Sequence, residues 1–187
     1  MRLLPVFGLS VFNGWLLLLA YFLGLTFNVL TFPPEKRKKL FLEPSYPRGD
    51  WRGVILLVGR VAAISFVASM IFTPLRTDSL FLYVGLVTYL FGFSVVMLSL
   101  FEYRSAEVDR PVTSGIYRVS RNPQWIGLVL VFVGTAIAVA TWLQFALLAV
   151  LVIAYHFQIL LEERVCLRSY GEDYAAYMKQ VPRYLGF

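Results

Sequence analysis

Residues 125–164 read WIGLVLVFVGTAIAVATWLQFALLAVLVIAYHFQILLEER, and no Asp, Glu, Lys or Arg interrupts them before Glu162. One helix over residues 125–161 would be about 55 Å long at 1.5 Å per residue. A hydrocarbon core of about 30 Å cannot hold that length in one crossing. The stretch therefore predicts two spans, 125–140 and 143–161, joined by a tight hairpin at Thr141 and Trp142.

Three further apolar runs precede it, at 6–32, 54–72 and 80–101, each bounded by proline, charge or a polar turn. The first is too long for the apolar core of a cleaved signal peptide and reads as a retained span. The expected fold is all-α: an integral membrane protein of about five transmembrane helices with a C-terminal cytosolic helical tail. Composition agrees, with 59% hydrophobic residues, 15% charged residues and a mean hydropathy of +0.71, where soluble domains carry about 25% charge. One domain over 1–187 is expected, with three N-terminal spans in 1–101 and a polar loop, hairpin and tail in 102–187.

The formal charge is +6, but the basic residues gather in short loops between apolar runs, which points to anionic lipid headgroups and away from nucleic acid. Lys36, Arg37, Lys38, Lys39, Arg48 and Arg52 follow the first run. Arg104, Arg110, Arg118 and Arg121 follow the third, and Arg164, Arg168, Lys179 and Arg183 the fifth, against Arg2 and Arg76 on the other side. Excess Lys and Arg marks the cytosolic side, so the N-terminus is expected outside and the C-terminus inside. The small size points to a prokaryotic cytoplasmic membrane.

Arg60, two turns into the second run, is expected to snorkel or pair. Trp15, Trp51, Trp125 and Trp142 are candidate interfacial anchors, although Trp15 stands well inside its run. Cys166 is the single cysteine, so no intrachain disulfide can form, and a buried, inert thiol is expected. Gln144 and Gln158 read as packing polar groups, and His156 as a hydrogen-bonded histidine between helices or a proton acceptor.

Polar chemistry is confined to the basic end. Residues 111–118, PVTSGIYR, read as an extended stretch with a Ser-Gly turn, leading to Arg121, Asn122, Pro123, Gln124 and Trp125 at the mouth of the fourth run. Pro123 suits the first turn of a helix and Asn122 its N-cap. The fifth run ends in Glu162 and Glu163, which point about 100° apart on a helix. One of them is expected to orient the site while the other holds a ligand.

In this order, the stretch 111–117, the motif 121–127, an apolar hairpin, the Glu162-Glu163 pair and the tail from Gly171 to Arg183 resemble the isoprenylcysteine carboxyl methyltransferase and phospholipid methyltransferase superfamily. The resemblance covers roughly residues 112–183. Two positions depart from its pattern: Asn122 stands for the usual histidine and Trp125 for the usual tyrosine. Asparagine keeps hydrogen bonding but takes up no proton near neutral pH.

The resemblance implies an S-adenosylmethionine-dependent methyltransferase acting on a lipophilic acceptor, such as an isoprenylcysteine carboxylate, a lipid or a small thiol. It implies a cofactor site of Val112, Gly115, Ile116, Tyr117, Arg121, Asn122, Pro123, Trp125, Glu162, Glu163, Arg164, Tyr174 and Tyr177. The backbone at 115–117 with Arg121 and Asn122 would take the methionine end, a glutamate the hydroxyl or amino groups, and Tyr174 and Tyr177 the adenine. Two alternatives stay open: a membrane reductase of the steroid-reductase type using a reduced nicotinamide cofactor, and a non-enzymatic membrane scaffold.

Overall fold

A computed structural model describes residues 3–5, 7–8, 10–40, 49–107 and 109–186, with the backbone alone at Lys39 and Leu40. The expectations attached to Arg2, Val6, Arg48 and the Lys39 side chain lie outside the described residues. The elements run α1 Trp15–Leu30, α2 Pro34–Leu40, α3 Trp51–Phe72, α4 Leu80–Ser105, a 3₁₀ turn Gly115–Arg118, α5 Pro123–Val139 and α6 Trp142–Gln180. Among the described residues α3, α4 and α6 are each long and apolar enough to cross a membrane, while α1 and α5 are shorter apolar helices. The outward faces remain apolar: Leu23, Phe27, Leu57, Ile64, Val87 and Phe91 are all exposed. A water-soluble monomer rarely shows so large an apolar surface, and a lipid-facing one requires it.

Five apolar helices match the five runs, with one correction. The first helix starts at Trp15, well after the start of its run, because the chain before it is tied down by other bonds. Gly8 and Gly14 donate their amides to Phe72 and Thr73, and Leu75 donates to Phe12, each at 2.9 Å. Fully buried Asn13 donates to the carbonyls of Gly8 at 2.7 Å and Ile71 at 2.8 Å. The Asn-Gly pair at 13–14, a turn signal, thus breaks the apolar run. In consequence Trp15, like Trp51 and Trp142, opens its helix, and Trp125 stands in the first turn of α5. All four tryptophans occupy helix ends, where an amphipathic ring meets the interface.

The hairpin falls where expected. Ala140 adopts the left-handed conformation (φ 51°, ψ 49°) and Thr141 is the N-cap position of α6. The expected tail is a continuation of α6, broken at Gly171, whose φ of 53° and ψ of −127° leave the helix.

Two antiparallel pairs make the bundle. In α4 and α5, Gly85 lies against Gly134 and Gly92 against Gly127, one heptad apart on both helices. A Cβ on Gly92 would meet the Gly127 carbonyl oxygen at 2.7 Å, and one on Gly134 the Gly85 carbonyl oxygen at 2.6 Å. Such backbone-to-backbone approach is how membrane helices gain packing energy without a hydrophobic drive. In α3 and α6, Gly59 takes the Ala154 methyl, while Phe66 and Met70 pack in one cluster with Leu148 and Leu151. Fully buried Gln144 exchanges hydrogen bonds with Ser69 Oγ at 3.1 and 3.3 Å, which bears out its packing role. Arg60 lies on the exposed face of α3.

Lys36 of α2 is buried, and its Nζ donates to the carbonyls of Tyr103 at 3.0 Å, Arg104 at 2.8 Å and Ala106. It caps the C-terminus of α4, where a cation meets the negative end of the helix dipole. Burial lowers its pKa from the ordinary lysine value.

Gly92→Leu is expected to force α4 and α5 apart and to cost about 3 kcal/mol of stability. The open position Gly53→Ala should leave stability unchanged or slightly raised. Thermal unfolding of the detergent-purified variants measures both.

Candidate functional site

Where α5 begins, the chain must satisfy the amides of a helix start and the charge of Arg121. Pro123 is the first residue of α5 and Asn122 its N-cap position, as expected, but the Asn122 side chain does not cap it. It turns to α6 instead, and Nδ2 lies 3.3 Å from both Glu163 Oε1 and the Arg183 carbonyl. The amide of Asn122 is met by Ser120 Oγ at 3.1 Å.

Glu163 is the centre of this arrangement, its side chain 4% exposed. Arg121 Nη2 reaches Oε1 at 3.2 Å, while Arg183 donates to Oε2 through Nε at 3.0 Å and Nη2 at 2.8 Å. Arg121 Nη1 also donates to the Met178 carbonyl at 3.1 Å. A buried carboxylate is tolerable only when paired and hydrogen-bonded, and three side chains supply that here. The hydrogen bond to Glu163 raises the Arg183 pKa above its ordinary value.

The same bonds pin residues 181–184 across the start of α5. The Arg121 amide donates to the Pro182 carbonyl at 3.0 Å, and Ser120 Oγ donates to the Arg183 carbonyl at 2.9 Å. Beyond Arg183, the Tyr184 hydroxyl meets His156 Nδ1 at 2.9 Å. The lone histidine therefore tethers this strap to α6.

Glu162 is placed differently. Its Oε2 accepts from Trp125 Nε1 at 2.9 Å and its Oε1 from Gln158 Nε2 at 3.1 Å, and the residue is half-buried. Gln158, expected to be a packing group, therefore supports the Glu162 carboxylate. The Trp125 indole lies 4.7 Å from the Tyr155 ring. The two glutamates have separate tasks: Glu163 locks the strap and the start of α5, and Glu162 stands beside the aromatic groups.

Residues 115–118 form a 3₁₀ turn, tighter than the extended stretch expected, because Gly115 takes a positive φ of 54°. Its far end is held by Tyr177, whose hydroxyl donates to the Tyr117 carbonyl at 2.6 Å. Tyr174 and Tyr177 are both buried and meet edge-on with centroids 5.8 Å apart. Burial, with smaller effects from Tyr177, Tyr103, Glu162 and Glu102, holds the Tyr117 phenol above its ordinary pKa. Val112 and Ile116 are half-buried in this loop, and Arg164 is exposed. Cys166 is partly buried, and burial pushes its thiol up to about 11, against a hydrogen bond from Tyr174 that lowers it.

Sequence reasoning did not single out Ser120, Tyr184 or Glu102, and it read Gln158 as packing alone. Glu102 Oε2 accepts from Ser114 Oγ at 2.7 Å. The local signal for Glu102 was its position, directly after the apolar run 80–101 and two residues before Arg104. Two open grooves, one bounded by Ser10, Val11, Trp15 and Ile71 and one by Leu80, Phe81, Val84, Ile137 and Phe145, lie toward the opposite end of the bundle, away from these groups. Among the described residues no group of His, Cys, Asp and Glu could hold a metal ion.

A family model described as phospholipid methyltransferase matches residues 79–173. That span runs from the N-cap of α4 to just past Gly171. No curated protein and no solved structure matches the chain.

Two outcomes are expected. Glu163→Gln leaves Arg121 and Arg183 without their counter-charge and should cost about 3–5 kcal/mol, read as a lowered unfolding midpoint and faster proteolysis of the strap. A thiol reacts as its thiolate, so a Cys166 pKa of about 11 keeps it protonated at pH 8. Maleimide labelling of the folded protein at pH 8 should then be at least about tenfold slower than after denaturation in dodecyl sulfate, rising only as pH approaches that value.

Proposed function

The chain belongs to the phospholipid methyltransferase family, and from that premise we propose that it transfers a methyl group from S-adenosylmethionine to a lipophilic acceptor. The donor would lie at the basic end, between residues 112–125 and the segment from Glu162 to Tyr177. The observation that carries this reading is the division of the glutamate pair. Glu163 is consumed internally by Arg121, Asn122 and Arg183, whereas Glu162 is half-buried, oriented by Trp125 and Gln158, and set beside Tyr117.

Glu162 would accept hydrogen bonds from donor hydroxyl or amino groups, which a carboxylate does well. The loop at Gly115 to Tyr117 and the aromatic groups Trp125, Tyr174 and Tyr177 would enclose the rest. In the reaction the acceptor lone pair forms a bond to the methyl carbon as the carbon–sulfur bond breaks, and that electron pair returns to sulfur, leaving a neutral thioether. Alignment and exclusion of water serve such a step, because charge is dispersed as it proceeds. An anionic acceptor needs no base. A neutral amine gains positive charge and sheds its proton to water afterwards.

Asn122 fits this scheme as a positioning residue. Its bond to Glu163 needs a donor and no proton uptake. The acceptor would arrive from the bilayer, with the N-terminus outside and the active face cytosolic, in a prokaryotic cytoplasmic membrane. Residues 1–187 would act as one domain, the first three apolar helices framing the loop, hairpin and tail.

Calorimetric titration of the detergent-purified protein tests the reading. Saturable S-adenosylmethionine binding is expected, weakened about tenfold or more in Glu162→Gln through loss of a charged hydrogen-bond acceptor. Reduced nicotinamide dinucleotide phosphate should give no heat. Binding of the nicotinamide alone would replace this reading with a reductase.

A further inference from the structure

We propose that Glu102, in the last turn of α4, is a positioning residue that sets the conformation of the donor loop at Ser114 and Gly115. The inference rests on the reading that this loop encloses the methyl donor.

An acidic side chain at a helix C-terminus faces the negative end of the helix dipole, where cations are favoured. Glu102 stands there all the same, and among the described residues no cation pairs with it. What it touches is the loop. Ser114 Oγ donates to Oε2 at 2.7 Å. The rest of the carboxyl group fills the space beside the Gly115 Cα. A Cβ at residue 115 would fall on the carboxylate and would lie 2.8 Å from Glu102 Cγ.

Gly115 is favoured by its backbone first, and a side chain there would push the flexible end of Glu102 aside. Its φ of 54° belongs to the left-handed region, and its missing side chain makes room for Glu102. The carboxylate acts as a template against which the Ser-Gly turn closes, and the 3₁₀ turn then starts in one place.

The other end of that turn is held independently, by the Tyr177 hydroxyl on the Tyr117 carbonyl at 2.6 Å. Two clamps from two elements, α4 and the tail, therefore fix four residues between them. Glu102 also raises the pKa of the half-buried Tyr117 phenol, as Glu162 does, so it stands within electrostatic range of the proposed donor site. On this account shape carries the role of Glu102, and a neutral side chain of the same form should replace it.

Hydrogen exchange over residues 113–118 in the purified protein without ligand reads the loop directly. About tenfold faster exchange is expected in Glu102→Ala and in Ser114→Ala, since each removes the hydrogen bond. Glu102→Gln, which keeps an acceptor oxygen of the same reach, should stay within about twofold of the parent. S-adenosylmethionine affinity should follow the same order while the unfolding midpoint holds. Ser114→Ala leaves α4 untouched and so covers the case of Glu102→Ala failing to fold. Unchanged loop exchange in both alanine variants overturns the proposal, as does Glu102→Gln behaving like Glu102→Ala. If the parent protein binds no S-adenosylmethionine, the donor reading falls, and the exchange measurement still decides whether Glu102 shapes the loop.

Discussion

The backbone contact between α4 and α5 sets the frame in which everything else must fit. Gly85 on Gly134 and Gly92 on Gly127 bring the two helices as close as peptide groups allow, at two levels separated by two turns. No other residue type permits that approach, so the register cannot slide by a turn without driving a side chain into a backbone. Fixing it determines how the last turn of α4, with Glu102, stands relative to the first turn of α5, with Asn122 and Trp125. The second pair, α3 with α6, then places Glu162 and Glu163 beside them.

Within that frame the buried charge of Glu163 governs the polar end. Removing a carboxylate from water is costly, and the cost is offset only where donors converge. Arg121 precedes α5, Asn122 opens it and Arg183 lies beyond α6, so one side chain draws two separated parts of the chain onto α6. The same demand leaves Glu162, one residue earlier and about 100° round the helix, turned toward Trp125 and Gln158. A buried, ion-paired carboxylate and a half-buried one held by Trp125 and Gln158 are thus made from one dipeptide by helical geometry.

Much of this was legible in the sequence, because the signals were local. The five apolar runs, the turn between the last two, and Pro123 after Asn122 each follow from length, hydropathy or a neighbour's chemistry. The division of labour between Glu162 and Glu163 could be anticipated, but which glutamate did which depended on Arg183, twenty residues away. The late start of α1 had a local sign in the Asn13-Gly14 pair, but the partner that holds Asn13, the Ile71 carbonyl, lies 58 positions away. Glu102 looked like an ordinary polar residue at a span's end, and only its fit against Gly115 distinguishes it. Gln158 looked like packing until Glu162 appeared beside it. Periodicity describes a helix face, and it carries no information about which distant residue will meet that face.

The strap formed by residues 181–184 has a bearing on how the protein is made. It follows in chain order every other group that Glu163 gathers, so it is the last of them to be made. Until Arg183 arrives, Glu163 has only Arg121 and Asn122, and the mouth of α5 stays uncovered. Completion of the polar end thus waits on the last residues of the strap. A chain stopped short of Arg183 would sit in the bilayer with its helices in place and its polar end unlatched, a form that quality-control proteases could recognise by that end alone.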